Sequence, residues 1–312
     1  MSHAPTSPAL GRAAGGRRAL AGAPPEAMVL GSILSVQLGA AVAKSLFVQL
    51  SPAGVTLLRL AIAAVVLLAV WRPSRHGLTR ARLGLVVAFG ATLAVMNLCF
   101  YEAIAHIPLG AAVTIEFVGP LGVAVAGSRR RLDILWVVLA AGGILLLARP
   151  GSGLNPTGTG LALLAGAAWA GYILLAARVG AASAGGGGLA LAMTAGSLVV
   201  LPFGLVGGGR ALLDPHLLLA GAGVALLSSV IPYSLELQAL RRMPARVFGV
   251  LMSLEPAVAA LAGLVVLGEP LLLRACAAIA LVIVACAGAT LSSGRRRWAA
   301  AGSSAEAAGP PG

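Results

Sequence analysis

Charged residues are scarce: Asp, Glu, Lys and Arg together make up 10% of the 312 residues. A soluble domain carries about 25%, so a soluble globular enzyme is excluded. Aromatic residues amount to only 4%, which argues against a large stacking site for planar drugs. Three cysteines occur, Cys99, Cys276 and Cys286, each inside an apolar run. Cys276 and Cys286 fall on one expected helix, about 15 Å apart along its axis, too far to bridge. No CxxC and no Cys/His metal spacing is present. All three cysteines are therefore read as buried small hydrophobes, and neither metal nor cofactor is expected. The histidines, His3, His76, His106 and His216, stand outside the interiors of the apolar runs. HExxH is missing, as is GxSxG with a usable histidine, so an intramembrane enzyme has no residues to carry its chemistry.

What the chain has instead is apolar length. Hydrophobic residues make up 59% and mean hydropathy is +0.98. Continuous runs near 20 residues recur, each able to cross the roughly 30 Å hydrocarbon layer as a helix. Their continuity excludes an outer-membrane barrel, whose strands alternate. Runs lie near 27–47, 52–71, 83–104, 109–127, 133–149, 158–178, 188–207, 215–238, 245–267 and 271–291. Pro52, Pro108, Pro156, Pro215, Pro244 and Pro270 punctuate the joints. Residues 1–26 and 294–312 are read as disordered tails. The end of the first run, Ala41-Val42-Ala43, resembles a signal-peptidase site, but the charge distribution favours keeping that run as a span.

The net charge of +13 points to the bilayer and not to nucleic acid, because the arginines are spread over short loops instead of one basic face. Counted alternately, one side receives Arg12, Arg17, Arg18, Arg72, Arg75, Arg80, Arg82, Arg129 to Arg131, Arg178, Arg241, Arg242, Arg246 and Arg295 to Arg297. The other receives Arg149, Arg210 and Arg274. This positive-inside asymmetry places both termini in the cytoplasm and requires an even number of spans in the cytoplasmic (inner or plasma) membrane.

The chain also repeats itself. Shifting it by 136 residues brings Pro108 onto Pro244, Pro120 onto Pro256, Ala103 onto Ala239, Ala124 onto Ala260 and Asp133 onto Glu269. Five spans per half is odd, so the second half inserts upside down. The expected fold is an all-α polytopic membrane protein of ten transmembrane helices in two inverted five-helix repeats, 27–149 and 158–291. Inverted repeats build transporters, with the site at the repeat interface near the midplane. Small residues at four-residue steps, Gly31, Ser35, Gly39 and Ala43, then Ala162, Gly166 and Ala170, favour close helix crossings.

A charge at the bilayer centre costs about 2.5–3.5 kcal/mol on insertion scales, so each one needs a reason. Glu116 and Glu255 fall about one helical turn apart under the repeat, each beside a proline that frees backbone carbonyls. Two such carboxylates would line a central cavity, either carrying protons or binding a substrate ammonium; the alternative is a structural ion pair with Arg59 or Lys44. Arg59 cannot be neutral. It holds a substrate carboxylate, snorkels, or clamps a glutamate. Lys44, near the end of its span, snorkels in the simplest reading. Glu236 is read either as a site residue or as an ion-pair partner of Arg241 or Arg242. Glu102 and His106 form an outer pair or are merely solvated. Asn97, Gln37, Tyr101, Tyr172, Tyr233 and Ser253 can hydrogen-bond a polar solute.

These segments carry a resemblance. Ala43-Lys44-Ser45-Leu46-Phe47, Gly54-Val55-Thr56 with Leu58-Arg59-Leu60, Ile107-Pro108-Leu109-Gly110, Glu116-Phe117 with Gly119-Pro120-Leu121, Pro232-Tyr233-Ser234-Leu235-Glu236, and Phe248-Gly249 with Leu251-Met252-Ser253-Leu254-Glu255-Pro256 resemble the drug/metabolite transporter superfamily. That superfamily has paired EamA-type repeats, and the closest resemblance is to its threonine/homoserine exporter group. The resemblance spans about residues 28–292. It implies proton-driven efflux of small amino acids. Another metabolite or drug remains an alternative cargo within the superfamily, and a passive channel or non-transporting scaffold is the alternative of a different class. A zwitterion needs a cation and a carboxylate, and the intramembrane set holds both signs; Asn97, Ser253 or a tyrosine would take the substrate hydroxyl.

Overall fold

In a computed structural model of the chain, residues 23–73, 79–126, 131–147, 154–182, 187–240 and 242–307 are described. Every regular element among them is helical. In chain order the α-helices are α1 (Pro25–Ser45), α2 (Pro52–Trp71), α3 (Arg80–His106), α4 (Leu109–Glu116), α5 (Val118–Ala126) and α6 (Arg131–Leu147). They continue with α7 (Pro156–Ala182), α8 (Gly187–Gly208), α9 (Pro215–Ala225), α10 (Ile231–Leu240), α11 (Ala245–Met252), α12 (Glu255–Leu267) and α13 (Leu273–Ala307). A π-helical turn, Leu226–Val230, joins α9 to α10.

The start signals are local and legible. Pro52 and Pro215 open their helices at the first turn, where a missing N–H costs nothing. Ser51 Oγ accepts from Gly54 N at 3.1 Å, Asp214 Oδ1 from His216 N at 2.7 Å, and Asn155 Oδ1 from Thr157 N at 2.8 Å. Each satisfies an N–H that the first helical turn leaves unpaired.

Among the described residues eight helical segments are long and apolar enough to cross a membrane, and large apolar side chains such as Val65, Val206 and Leu219 remain exposed on their outer faces. The chain is a multi-pass membrane protein. Within the described residues, two of the expected spans, 109–127 and 133–149, show shorter apolar segments, Leu109–Val123 and Ile134–Leu147. At 1.5 Å per residue the first reaches only about 22 Å, and it is interrupted at Phe117, between α4 and α5. The C-terminal segment also differs from expectation. The backbone of α13 continues to Ala307, because the Arg- and Ala-rich sequence after residue 294 has high helix propensity. The remaining residues of both expected tails, the Gly185–Gly188 run up to residue 186 and the Arg129–Arg130 loop lie outside the described residues.

Helix α2 packs on α8 and α9, α3 on α7 and α8, α1 on α10 and α12, α4 on α12 and α7, and α6 on α13. Glycine sets the closest crossings. A Cβ at Gly119 would collide with the Gly166 backbone, and one at Gly166 would lie 2.6 Å from the Glu116 carbonyl oxygen. On the same helix, Gly160 has nothing within 4 Å of that position. Gly166→Ala is therefore expected to destabilise the protein by about 1–3 kcal/mol through overpacking. Gly160→Ala is expected to be neutral or slightly stabilising. Thermal melting of both detergent-purified variants checks the pair; equal melting temperatures would remove the tight crossing from the account.

Candidate functional site

The chain's prolines decide where polar groups become available. Pro232 has no N–H, so the carbonyl four residues earlier, Ser228 O, lacks the donor that an α-helix would give it. That carbonyl lies in the π-turn, and Arg59 donates to it from Nη2 at 2.8 Å. Arg59 also donates from Nε to Ser229 Oγ at 3.2 Å and from Nη1 to Tyr101 Oη at 3.2 Å. Its guanidinium carbon stands 5.4 Å from the Tyr101 ring centroid. Arg59 is buried and neither snorkels nor clamps a carboxylate; no ion pair joins it to a glutamate among the described residues. Three fixed acceptors hold the cation, which leaves further N–H groups of the guanidinium for a ligand.

The two broken helices deliver the carboxylates. α4 ends at Glu116, and the chain turns at Phe117 before α5. α11 ends at Met252, and α12 opens on Glu255 with Pro256 in its first turn. Glu116 and Glu255 are both buried. They line one cavity of about 520 Å³ together with Arg59, Gln37, Asn97, Tyr233 and Glu236. Gln37 Nε2 donates to Glu255 Oε1 at 3.1 Å. Ser32 Oγ donates to Glu236 Oε1 at 2.6 Å, so among the described residues Glu236 is bound to α1 and not to Arg242. Asn97, which also lines the cavity, donates from Nδ2 to Leu93 O at 2.8 Å.

Two of the expected site residues lie elsewhere. Ser253 is buried, outside the cavity lining, and gives its hydroxyl to Val250 O at 2.6 Å. Lys44 does not snorkel freely. Its Nζ meets Glu269 Oε1 at 2.6 Å and Ile107 O at 2.9 Å, while Glu269 Oε2 accepts from Leu109 N at 2.8 Å. This cluster ties the end of α1 to the α3–α4 joint and the α12–α13 joint, away from the cavity lining. His106 keeps its ring near its own helix, Nδ1 lying 2.8 Å from Glu102 O. Of the cysteines, Cys99 and Cys286 are buried as expected, but Cys276 is exposed, because it lies on an outward face of α13.

Sequence reasoning missed much of the wall. Phe100, Phe117, Trp169 and Phe248 line the cavity beside Tyr172 and Tyr233, the two wall aromatics that the sequence had singled out, so the low aromatic content is concentrated there. Phe117 and Trp169 meet edge to face with centroids 5.0 Å apart, and Phe89 stacks on Tyr172 at 5.1 Å. Ser228 had a usable signal, Pro232 four residues on. Glu269 was visible only as the repeat partner of Asp133.

One arginine, three carboxylates and an aromatic–aliphatic wall thus share one cavity among apolar helices, an arrangement suited to holding a small polar solute within the membrane. Residues 156–291 match the EamA-like transporter family. The chain is 42% identical over 271 residues to the protein described as "Threonine/homoserine exporter RhtA" from Escherichia coli (strain K12), covering 86% of this chain and 92% of that one. The corresponding protein of Salmonella typhimurium (strain LT2) is equally similar, 42% over 271 residues with the same coverage. The chain belongs to the EamA-like transporter family. A crystal structure superposes with a TM-score of 0.58 at 19% identity, covering 86% of this chain and 98% of its own; that likeness is one of fold.

Proposed function

We propose that this chain is a secondary transporter that exports small amino acids of the threonine and homoserine type across the cytoplasmic membrane in exchange for protons. The observation that carries the reading is a single apolar cavity holding Arg59 against Glu116, Glu236 and Glu255. An α-amino acid presents a carboxylate and an ammonium on one carbon, and this cavity offers both complementary signs. The relatives named above support the cargo class.

The architecture proposed is ten membrane helices in two inverted repeats, 27–149 and 158–291, with both termini cytoplasmic. Matching elements support it. Moved by the repeat shift, α2 falls on α8, α4 falls on α11, and the turn at Phe117 falls on the turn at Ser253. Pro108 and Pro244 precede α4 and α11 with nearly equal backbone angles, φ −58°, ψ 144° and φ −60°, ψ 136°. The positive-inside distribution supports the orientation. Substrate enters from the cytoplasm, a glutamate exchanges its proton, and the two halves rock to release substrate outside.

The test is loss of labelled threonine and homoserine from cells that lack their own exporters, with and without this protein and a protonophore. Faster, protonophore-sensitive loss is the expected result. Equal loss, with the protein confirmed in the membrane, overturns the amino-acid reading. A second reading, export of a larger metabolite or drug, draws on the aromatic wall and on a volume within the roughly 300–1,000 Å³ of drug-sized pockets.

Glu116 is the expected proton carrier, because no hydrogen bond or ion pair ends on its carboxylate among the described residues. Glu116→Gln should abolish the response to an imposed proton gradient in proteoliposomes while substrate exchange at equal pH persists. Normal gradient-driven export by this variant would sink that role.

A further inference from the structure

Among the described residues four buried side-chain atoms have no hydrogen-bond partner: Gln37 Oε1, Ser228 Oγ, Glu255 Oε2 and Trp136 Nε1. Three of the four belong to residues that line the central cavity. Gln37, Ser228 and Glu255 are 3%, 1% and 7% exposed, so bulk water does not satisfy them. Buried polar atoms are otherwise paired, and a cluster of exceptions in one cavity needs an explanation. Gln37 Oε1 and the Glu255 carboxylate oxygen accept hydrogen bonds, whereas the Ser228 hydroxyl can also donate, so the pair on Gln37 and Glu255 calls for a donor-rich partner.

Gln37 and Glu255 are joined by the 3.1 Å bond from Nε2 to Oε1, so their two free oxygens belong to one unit. Ser228 gives its carbonyl to the Arg59 guanidinium at 2.8 Å, while its Oγ lies against α1 at Gly39. A primary ammonium has three N–H donors and no acceptor, and it suits the pair of free oxygens. A carboxylate suits Arg59, whose guanidinium keeps N–H groups beyond its three fixed acceptors.

We propose that Gln37 and Glu255 form the ammonium subsite of this transporter, with Arg59 receiving the carboxylate of the same zwitterion. The inference rests on the amino-acid reading and deepens it. It gives the two buried glutamates different tasks: Glu255 meets the substrate ammonium, leaving Glu116 to the proton. Gln37 becomes a specificity residue, because it holds Glu255 in place and supplies a second acceptor. A substrate with a hydroxyl where threonine has its amino group leaves both oxygens without a positively charged partner, and the site rejects it.

The test uses the full chain in proteoliposomes, with threonine and its analogue 2,3-dihydroxybutanoate as substrates. Gln37→Met keeps side-chain length and removes both polar atoms; Glu255→Gln keeps shape and removes the charge. Each variant is expected to raise the KM for threonine at least tenfold while the maximal rate stays within about twofold. Inhibition of wild-type threonine transport by the analogue is expected to be at least tenfold weaker than inhibition by unlabelled threonine, and that preference should shrink in Gln37→Met. A merely structural role would lower the maximal rate, or would weaken threonine and the analogue alike; either result overturns the proposal. If wild-type protein transports no threonine at all, the amino-acid reading fails first, and this one with it.

Discussion

Arg59→Lys lowers export at least a hundredfold while the protein still folds, and the retained positive charge does not rescue it. Arg59 reaches Ser229, Tyr101 and the Ser228 carbonyl from three different nitrogens and lies against the Tyr101 ring. A lysine brings one nitrogen on a different stem, a compact point charge without the planar fork. It can satisfy one of those acceptors well and leaves the others short. The Ser228 carbonyl is the most exposed to loss, since Pro232 removes the donor that an α-helix would give it and burial removes water. Each unsatisfied buried acceptor costs about 1–3 kcal/mol, so the melting temperature should fall measurably without collapse of the fold. A hundredfold loss corresponds to about 2.7 kcal/mol, the scale of one misplaced charged hydrogen bond to a substrate carboxylate. Initial export rates and thermal melting of the same purified samples separate the two effects. If the lysine variant exports at the wild-type rate, Arg59 acts only as a local charge and its fork geometry is irrelevant.

Lys44→Glu stops transport, and adding Glu269→Lys restores part of it. The pair stands at 2.6 Å with side chains only 20% and 15% exposed, so the single reversal sets two carboxylates against each other in a poorly screened place. Lys44 and Glu269 belong to opposite halves of the proposed repeat, and the proposed rocking of those halves would make and break this contact. A reversal that removes one of two states by about 2 kcal/mol changes its population roughly thirtyfold. The double variant recovers the ion pair. It does not recover the bond from Leu109 N to Glu269 Oε2 at 2.8 Å, because lysine accepts nothing. Recovery is therefore expected to stop at about a third of the wild-type rate. Export rates of the two single and the double variants form a double-mutant cycle. Strict additivity of the two losses would show that the contact takes no part in the transport cycle.

Gln37→Met and Glu116→Gln are read together with these two. The first should act on affinity and the second on coupling to protons. A common loss in all four variants, with altered melting, would point to general damage and not to separate tasks.

Much of this protein was legible from composition and order along the chain. Continuous apolar runs follow from the requirement that backbone groups in lipid bond internally, so the helices and their starts at Pro52, Pro108, Pro156, Pro215 and Pro244 could be placed without coordinates. Charges in such runs are rare enough that Arg59, Glu116 and Glu255 stood out unaided. The proline grid revealed where helices break, since a missing N–H is a local, covalent fact. Partners were not legible. Lys44 finds Glu269 across 225 positions and Ser32 finds Glu236 across 204, and no local rule encodes such distances. Ser253 shares a motif with Glu255 yet turns its hydroxyl back to Val250, because residues two apart on a helical stretch face different ways. The aromatic wall was hidden for the same reason: Phe100, Trp169 and Phe248 sit on three separate helices, and only helix crossings as close as the one at Gly119 and Gly166 bring them around one cavity. Local chemistry sets where the chain turns and which groups are costly in lipid; packing alone sets which of those groups meet.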